Sequence, residues 1–530
     1  MIGIRSNDPS ATARAWWRRG VVAALCAALA LAPAWPQVRL PSLGESAADE
    51  VTVAAERRVG EQIMREVRRD PDYLDDPVLL EYLQSIWQPL VRAARQRGDI
   101  APDIDANFPF ECFLVRDRSV NAFALPGGYV GVHLALINLT GSADELASVL
   151  GHELSHVTQR HIARSITTSQ RQSLLALAGL ILGVLAASKG NSPDAAQAAI
   201  LGGQAAAIQG QLNFSRDMER EADRMGLSVM RDAGFAPSAM AQMFEKLDYA
   251  NRLNDSGAYP YLRTHPLTTE RVAEVQSRLA TAPATASTPR PEHALMQARA
   301  RVLMDPTVQA RRRQQDLDKA LASGPDDKLA ALYASVLASL LLRDFARAAD
   351  AYAAGDRLVA AGSVDARRAR VWSLLGVELA VAQGDAATAD KRLAALASDA
   401  SRPRMLLEAQ TALLTNDAAR LKRECEALQS WTSDHRSDSL AWSELSSCAD
   451  RQGQTLRAVR AQAESRYALG DWAGAVDRLR AGQRLARSGG AQDFIESSVI
   501  DARLRDIEAQ RRALMDELRP KGGSQREPPQ

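Results

Sequence analysis

The residues best suited to chemistry stand together at Gly151-His152-Glu153-Leu154-Ser155-His156, an H-E-x-x-H sequence. On a helix, His152 and His156 lie one turn apart on the same face, so two imidazole nitrogens can converge on one metal ion. Glu153, beside the first of them, is placed to take a proton from a water that the metal polarises, which is what hydrolysis of a peptide bond with zinc requires. A second stretch, Ser215-Arg216-Asp217-Met218-Glu219-Arg220-Glu221-Ala222-Asp223-Arg224-Met225-Gly226, supplies what the first lacks. Glu219 and Asp223 are again four apart on one helical face, and Gly226 on that face lets another helix approach closely. Glu219 then serves as the third ligand of a single Zn2+, leaving one position open. Asp223 accepts the free ring N–H of a ligating histidine.

The helix that must carry the motif is well announced. Ser142-Ala143-Asp144-Glu145 reads as a capping box, and Leu146, Leu150, Leu154 and Val157 form an apolar stripe turned away from the histidines. Other zinc layouts fail on the same residues. A metzincin needs Gly and His where Gln159 and Ile162 stand, and an acid about twenty residues downstream is replaced by the apolar run Leu174 to Ala187. His161, five on from His156, points to a different side of a continuous helix and reads as an ordinary polar residue.

His152-Glu153-Leu154-Ser155-His156, followed at long range by Ser215-Arg216 and Glu219-Arg220-Glu221-Ala222-Asp223, resembles the zinc peptidases that include the CAAX prenyl proteases and the bacterial heat-shock membrane protease. Asn121-Ala122-Phe123-Ala124-Leu125-Pro126-Gly127-Gly128-Tyr129-Val130 and Thr264-His265-Pro266 with Arg271 are similar to the same family, so the resemblance covers about residues 45 to 280. It implies a zincin-like metallopeptidase. With an export signal and a helical-repeat tail, the nearest resemblance is to periplasmic members that are both protease and chaperone. Their substrates are outer-membrane β-barrel precursors that stall during assembly, and their partner is the outer-membrane assembly machinery.

Composition agrees with two or more mainly helical domains. The chain has 530 residues, 65 basic against 64 acidic for a net charge of +1, and 5% aromatic residues. That balance offers no bulk attraction for nucleic acid. Arg14, Arg18 and Arg19 precede the apolar run Val21 to Ala32 and the small residues Ala32-Pro33-Ala34, so residues 1–34 read as a cleavable export signal and the mature protein as periplasmic.

Taken in order, Glu56 to Arg97 predicts two helices broken at Asp70-Pro71-Asp72 and Asp75-Asp76-Pro77. Phe108 to Val115 and Val120 to Val132 are the β-like segments. In zinc peptidases of this general design a strand edge beside the metal pairs with the substrate backbone. Tyr129, Val130, Gly131 and Val132 are the candidates for that edge, with a plain structural hairpin as the alternative. Leu174 to Ala187 is short for a membrane span and predicts a buried or lid helix, with peripheral membrane contact as the other reading. Ala195 to Gly210 reads as a helical flap between the ligands.

Thr281 to Pro291 is rich in Ala, Thr and Pro and marks a linker over 281–292. Beyond it, Arg343-Asp344-Phe345-Ala346, Gly384-Asp385-Ala386-Ala387, Asn416-Asp417-Ala418-Ala419 and Gly470-Asp471-Trp472-Ala473 each end one amphipathic helix and start another. Such turns resemble tetratricopeptide repeats and predict an α-solenoid over 293–519, followed by a disordered tail at 520–530. Cys425 and Cys448 lie almost symmetrically about Thr432 to Asp438, which predicts a disulfide between antiparallel helices and leaves Cys112 unpaired.

The fold class is therefore mainly α: a metallopeptidase domain with a small β-sheet, then a solenoid of tetratricopeptide-like repeats. The expected function is a zinc-dependent endopeptidase in quality control of outer-membrane proteins. The alternative is a repeat-domain chaperone in which proteolysis is minor. A membrane-bound processing protease lacks its several long apolar spans. One regulatory expectation follows from His265, which Pro260 and Pro266 keep off a continuous helix. Presented from a loop, its imidazole can occupy the open zinc position as a latch.

Overall fold

Aspartate and proline set the first element boundaries. Helix α1 (Val53–Arg69) starts on Thr52, whose Oγ1 accepts from Ala55 N, and stops at Asp70-Pro71. Helix α2 (Pro77–Arg97) starts on Asp76, whose side chain accepts from Leu79 N, with Pro77 in the first turn where its missing N–H costs nothing. The computed structural model describes residues 51–165, 215–253, 260–281, 287–319, 324–362, 364–396, 399–487 and 494–518. The expected export signal, the run Leu174 to Ala187, the flap at Ala195 to Gly210 and the tail at 520–530 lie outside the described residues, as does part of the linker.

After the short α3 (Pro102–Asn107) come three of the four strands, β1 (Tyr73–Leu74) having preceded α2: β2 (Glu111–Val115), β3 (Ala122–Leu125) and β4 (Tyr129–His133). The sheet order is β1-β2-β4-β3. Strand β4 runs parallel to β2, with Tyr129 opposite Glu111, and antiparallel to β3, with Tyr129 opposite Leu125. The β3–β4 turn uses Gly127 and Gly128 at φ 78° and 91°, a backbone that side chains resist. This order corrects the expectation for Tyr129, Val130, Gly131 and Val132. They form an interior strand, hydrogen-bonded on both sides and buried, so no substrate backbone can add there. The sheet edge on that side is β3.

Helices α4 (Leu134–Leu139), α5 (Ala143–Thr158), α6 (His161–Ser165), α7 (Arg216–Asp232), α8 (Ser238–Leu253), α9 (Pro260–Thr264) and α10 (Thr269–Thr281) complete the first part. Helix α5 carries the H-E-x-x-H motif and is buried along nearly its whole length, histidines included. Ser142 caps it as expected, accepting from Glu145 N, while the Glu145 carboxylate reaches Gly141 N instead of the cap residue's own N–H.

The rest is helical: α11 (His293–Met304), α12 (Val308–Gln315), α13 (Pro325–Leu341), α14 (Phe345–Ala360), α15 (Ala366–Gln383), α16 (Ala386–Ala394), α17 (Arg402–Leu413), α18 (Ala418–Asp434), α19 (Ser439–Arg451), α20 (Thr455–Ala468), α21 (Trp472–Ala486) and α22 (Phe494–Leu518). Asp344, Asp385, Asp417 and Asp471 each cap the helix that follows, accepting from the backbone N–H three residues on. Each such cap contributes about 1 kcal/mol. Cys425 on α18 and Cys448 on α19 are bridged at a Cα separation of 5.8 Å, and Cys112 is free and buried.

One apolar cluster runs from Val53, Leu83 and Trp87 through Leu150 to Tyr333, Trp372 and Leu407, and the described residues belong to one compact unit. The turn Asp75-Asp76 is a tie point within it. Arg299 on α11 grips Asp76 at 2.7 and 2.8 Å and also reaches Glu378 at 2.9 Å, while Arg402 on α17 grips Asp75 at 2.8 Å through both Nη atoms. Bidentate pairs of this kind fix geometry as well as charge. Among the described residues no helix is long and apolar enough to cross a membrane.

Candidate active site

Two glycines bring the ligand helices together. A Cβ on Gly226 of α7 would lie 3.1 Å from Gly151 C and His152 N of α5, so the two backbones touch where the motif begins. That contact sets Glu219, two turns before Gly226, against the histidines. His152 Nε2 lies 3.0 Å from His156 Nε2, and Glu219 Oε1 lies 3.4 Å from His156 Nε2. His265, which follows α9, completes the group with Nδ1 3.0 Å from Glu219 Oε1 and 3.3 Å from His152 Nε2. One ligand atom from each of these four buried residues lies within 4.8 Å of the others.

The surroundings orient this group. Asp223 Oδ1 lies 2.9 Å from His152 Nδ1, so that nitrogen carries the proton and Nε2 turns its lone pair inward. Arg271 on α10 donates to both oxygens of Asp223, at 2.7 and 2.8 Å, and its Nη1 sits 2.8 Å from Glu219 Oε2. Glu153 is fully buried. Its Oε2 accepts from Ala124 N at 3.0 Å, while its Oε1 makes no hydrogen bond and lies 3.5 Å from His265 Nε2. The Tyr261 ring stacks on His265 with centroids 4.7 Å apart.

Charge follows from these contacts. Burial opposes charge on His152, but Asp223 and Glu219 outweigh it and lift its pKa to about 10. The pocket therefore favours a cation, and a proton and a metal compete for the same nitrogen. Burial holds His156 well below its ordinary value and so keeps it neutral. Burial raises the Glu153 carboxyl, against the pull of His265 and His152, which makes it a better base than an exposed glutamate. Burial works against the Glu219 anion, yet His265 and His152 hold it far below the usual carboxylate range. Inward lone pairs, a buried anion and an adjacent unpaired carboxylate oxygen are a donor set that fits zinc.

The structure thus brings His152, His156, Glu219, His265, Glu153 and Asp223 into one site and leaves Tyr129 to Val132 out of its free edge. Sequence reasoning missed three features. Arg271 was visible only as part of a motif, and its role as counter-ion to two carboxylates depends on α10 packing over α7. The Ala124 N–H, on the outer side of β3, has no sequence signal at all. His161 is 0% exposed and places Nδ1 2.8 Å from His156 Nδ1, where a different side of the helix had been expected. The reason is local: α5 ends at Thr158, and Arg160 at φ 51° turns the chain before α6 begins.

The profile of peptidase family M48 matches residues 81–279, the span that holds every one of these residues. Residues 81–279 are a peptidase family M48 domain. Zinc is the metal of this family. The Beta-barrel assembly-enhancing protease of Escherichia coli K12 is 36% identical over 266 residues, 49% of this chain and 52% of that protein. A Vibrio cholerae relative, whose name carries the same words with a provisional qualifier, is 39% identical over 281 residues, 52% of this chain and 55% of its own. The Mitochondrial metalloendopeptidase OMA1 of Arabidopsis thaliana is 32% identical over 186 residues, 35% of each chain. The chain spans about half the length of these bacterial relatives, and the M48 match lies at residues 81–279.

Proposed function

We propose that this chain is a zinc-dependent endopeptidase acting on outer-membrane β-barrel precursors. The observation that carries the reading is the buried cluster of His152, His156, Glu219 and His265 with the raised, half-satisfied carboxyl of Glu153 beside it. His152, His156 and Glu219 would hold the metal. Zinc there supplies a Lewis acid that polarises the scissile carbonyl and acidifies water. Glu153 takes the proton of the attacking water on Oε1 and passes it to the leaving amine, while Ala124 N–H holds Oε2 in place. Asp223 and Arg271 keep the His152 ring in register. The outer edge of β3, next to Glu153, takes the substrate backbone as an added strand, which gives affinity without a sequence requirement.

His265 is the latch in this reading. Its Nδ1 faces the ligand cluster and its Nε2 faces Glu153 Oε1, so one side chain occupies the open ligand position and covers the base. Hydrolysis then waits on movement of the segment that carries His265. The substrate class and the assembly machinery as partner are supported by the names of the bacterial relatives, and a periplasmic location by the export-signal pattern of residues 1–34. Residues 293–519 act as a tetratricopeptide-like solenoid that receives unfolded chains. The latch also favours a second reading, in which that solenoid works as a chaperone and proteolysis is held in reserve.

One experiment separates these readings. The Glu153→Gln protein, cross-linked through its repeat region in cells, should retain β-barrel precursors. His265→Ala should cleave an unfolded substrate faster than the parent. Full cellular activity of Glu153→Gln would contradict proteolysis as the main function, and an unchanged His265→Ala rate at full zinc occupancy would contradict the latch.

A further inference from the structure

Helix α7 carries Glu219, Glu221 and Asp223 in that order, the first and third on the side that meets α5 and the second reaching α6. The first belongs to the ligand cluster and the third orients His152. Glu221 Oε2 lies 3.1 Å from His161 Nε2 and accepts from Arg164 Nη1 at 3.0 Å, and His161 Nδ1 lies 2.8 Å from His156 Nδ1. A chain of side chains thus runs from Arg164 and Glu221 through His161 to His156.

Only one proton arrangement satisfies it. Two ring nitrogens 2.8 Å apart need one donor and one acceptor. If His161 Nδ1 donated, the proton of neutral His156 would sit on Nε2, inside the ligand cluster. His161 Nε2 would then turn a lone pair toward the Glu221 carboxylate. If His156 Nδ1 donates, both conflicts vanish: His156 Nε2 offers its lone pair to the cluster, His161 Nδ1 accepts, and His161 Nε2–H donates to Glu221.

The geometry points to His161 as the positioning residue for His156, fixing which nitrogen of that ligand faces the metal and relaying the Glu221 charge to it. It stands to His156 as Asp223 stands to His152. The inference rests on the zinc reading of the site. The device is built into the turn between the helices. Arg160, in its left-handed conformation, donates to Glu56 at 2.9 Å and to Val51 O, and that anchorage swings His161 back over a ring it could not reach on a continuous helix.

The test is zinc affinity of the full-length protein by competition with a chelator, together with melting of the metal-free protein. His161→Leu keeps the bulk and removes the acceptor, and should weaken zinc binding about 10- to 100-fold, the usual loss when a ligand's orienting partner is removed. His161→Asn puts an amide oxygen near the Nδ1 position and should recover most of that loss. Metal-free melting should be alike in the two variants. Glu221→Ala, at a partly exposed position, should weaken zinc about 3- to 10-fold and decides the matter if His161→Leu does not fold. Parent-like zinc affinity in His161→Leu, or in Glu221→Ala in its place, overturns the inference. So does a His161→Asn protein as weak as His161→Leu. A parent protein that binds no zinc contradicts the zinc reading itself, which the same titration reads separately.

Discussion

Replacing Gly226 by alanine tests how the ligand helices are spaced. The new Cβ would sit 3.1 Å from Gly151 C and from His152 N, and 3.2 Å from Gly151 O. An ordinary contact begins near 3.4 Å, so α5 and α7 must part by about 0.3 Å, more than the roughly 0.2 Å within which metal–ligand distances hold. The atoms in the way are backbone, so the strain cannot be relieved by a rotamer change. It is passed to the helix that carries His152 and His156. Overpacking of this kind costs about 1–3 kcal/mol, against about 1 kcal/mol gained from helix propensity. Zinc affinity should fall about tenfold or more. The partner glycine is the control. A Cβ on Gly151 meets Gly226 O at 3.4 Å and the Met230 side chain at 3.5 Å, both ordinary contacts, so Gly151→Ala should keep zinc affinity and stability near the parent's. Chelator competition and thermal melting of both variants give the answer. Gly226→Ala with parent-like zinc affinity, or Gly151→Ala as damaging as Gly226→Ala, would refute the spacing argument.

Two further changes probe the scaffold. Arg299→Met leaves Asp76 and Glu378 buried without their shared cation and should cost about 3–5 kcal/mol in urea unfolding, whereas a loss below about 1 kcal/mol would show the tie to be ornamental. Removing the Cys425–Cys448 bridge, which spans 23 residues, by paired alanines should cost about 3 kcal/mol in the repeat region and leave zinc content unchanged. Loss of zinc from that variant would mean that the two regions are coupled more tightly than their contacts imply.

Much of the site was legible because its signals are local. H-E-x-x-H, the four-residue spacing of Glu219 and Asp223, and the aspartates that start the repeat helices each encode a helical face or a cap within a few residues. What escaped depended on partners far away in the chain. His161 was misread because its placement assumed one straight helix, and the turn at Arg160 is held by Glu56 and Val51, more than a hundred residues earlier. Strand β4 was taken for an edge because the β3–β4 turn is visible locally, while the parallel pairing that inserts β4 beside β2 is not. Asp75-Asp76-Pro77 read correctly as a break between helices. Its arginine partners, 223 and 327 residues away, left no trace nearby.

The central claim is that one buried zinc and the Glu153 carboxylate together cleave peptide bonds. The most direct measurement pairs metal content with hydrolysis of an unfolded protein for the parent, Glu153→Gln and Glu219→Ala. The account predicts one zinc and chelator-sensitive cleavage in the parent, one zinc without cleavage in Glu153→Gln, and loss of both in Glu219→Ala. Cleavage by zinc-loaded Glu153→Gln at the parent's rate, or full zinc occupancy in Glu219→Ala, would contradict it.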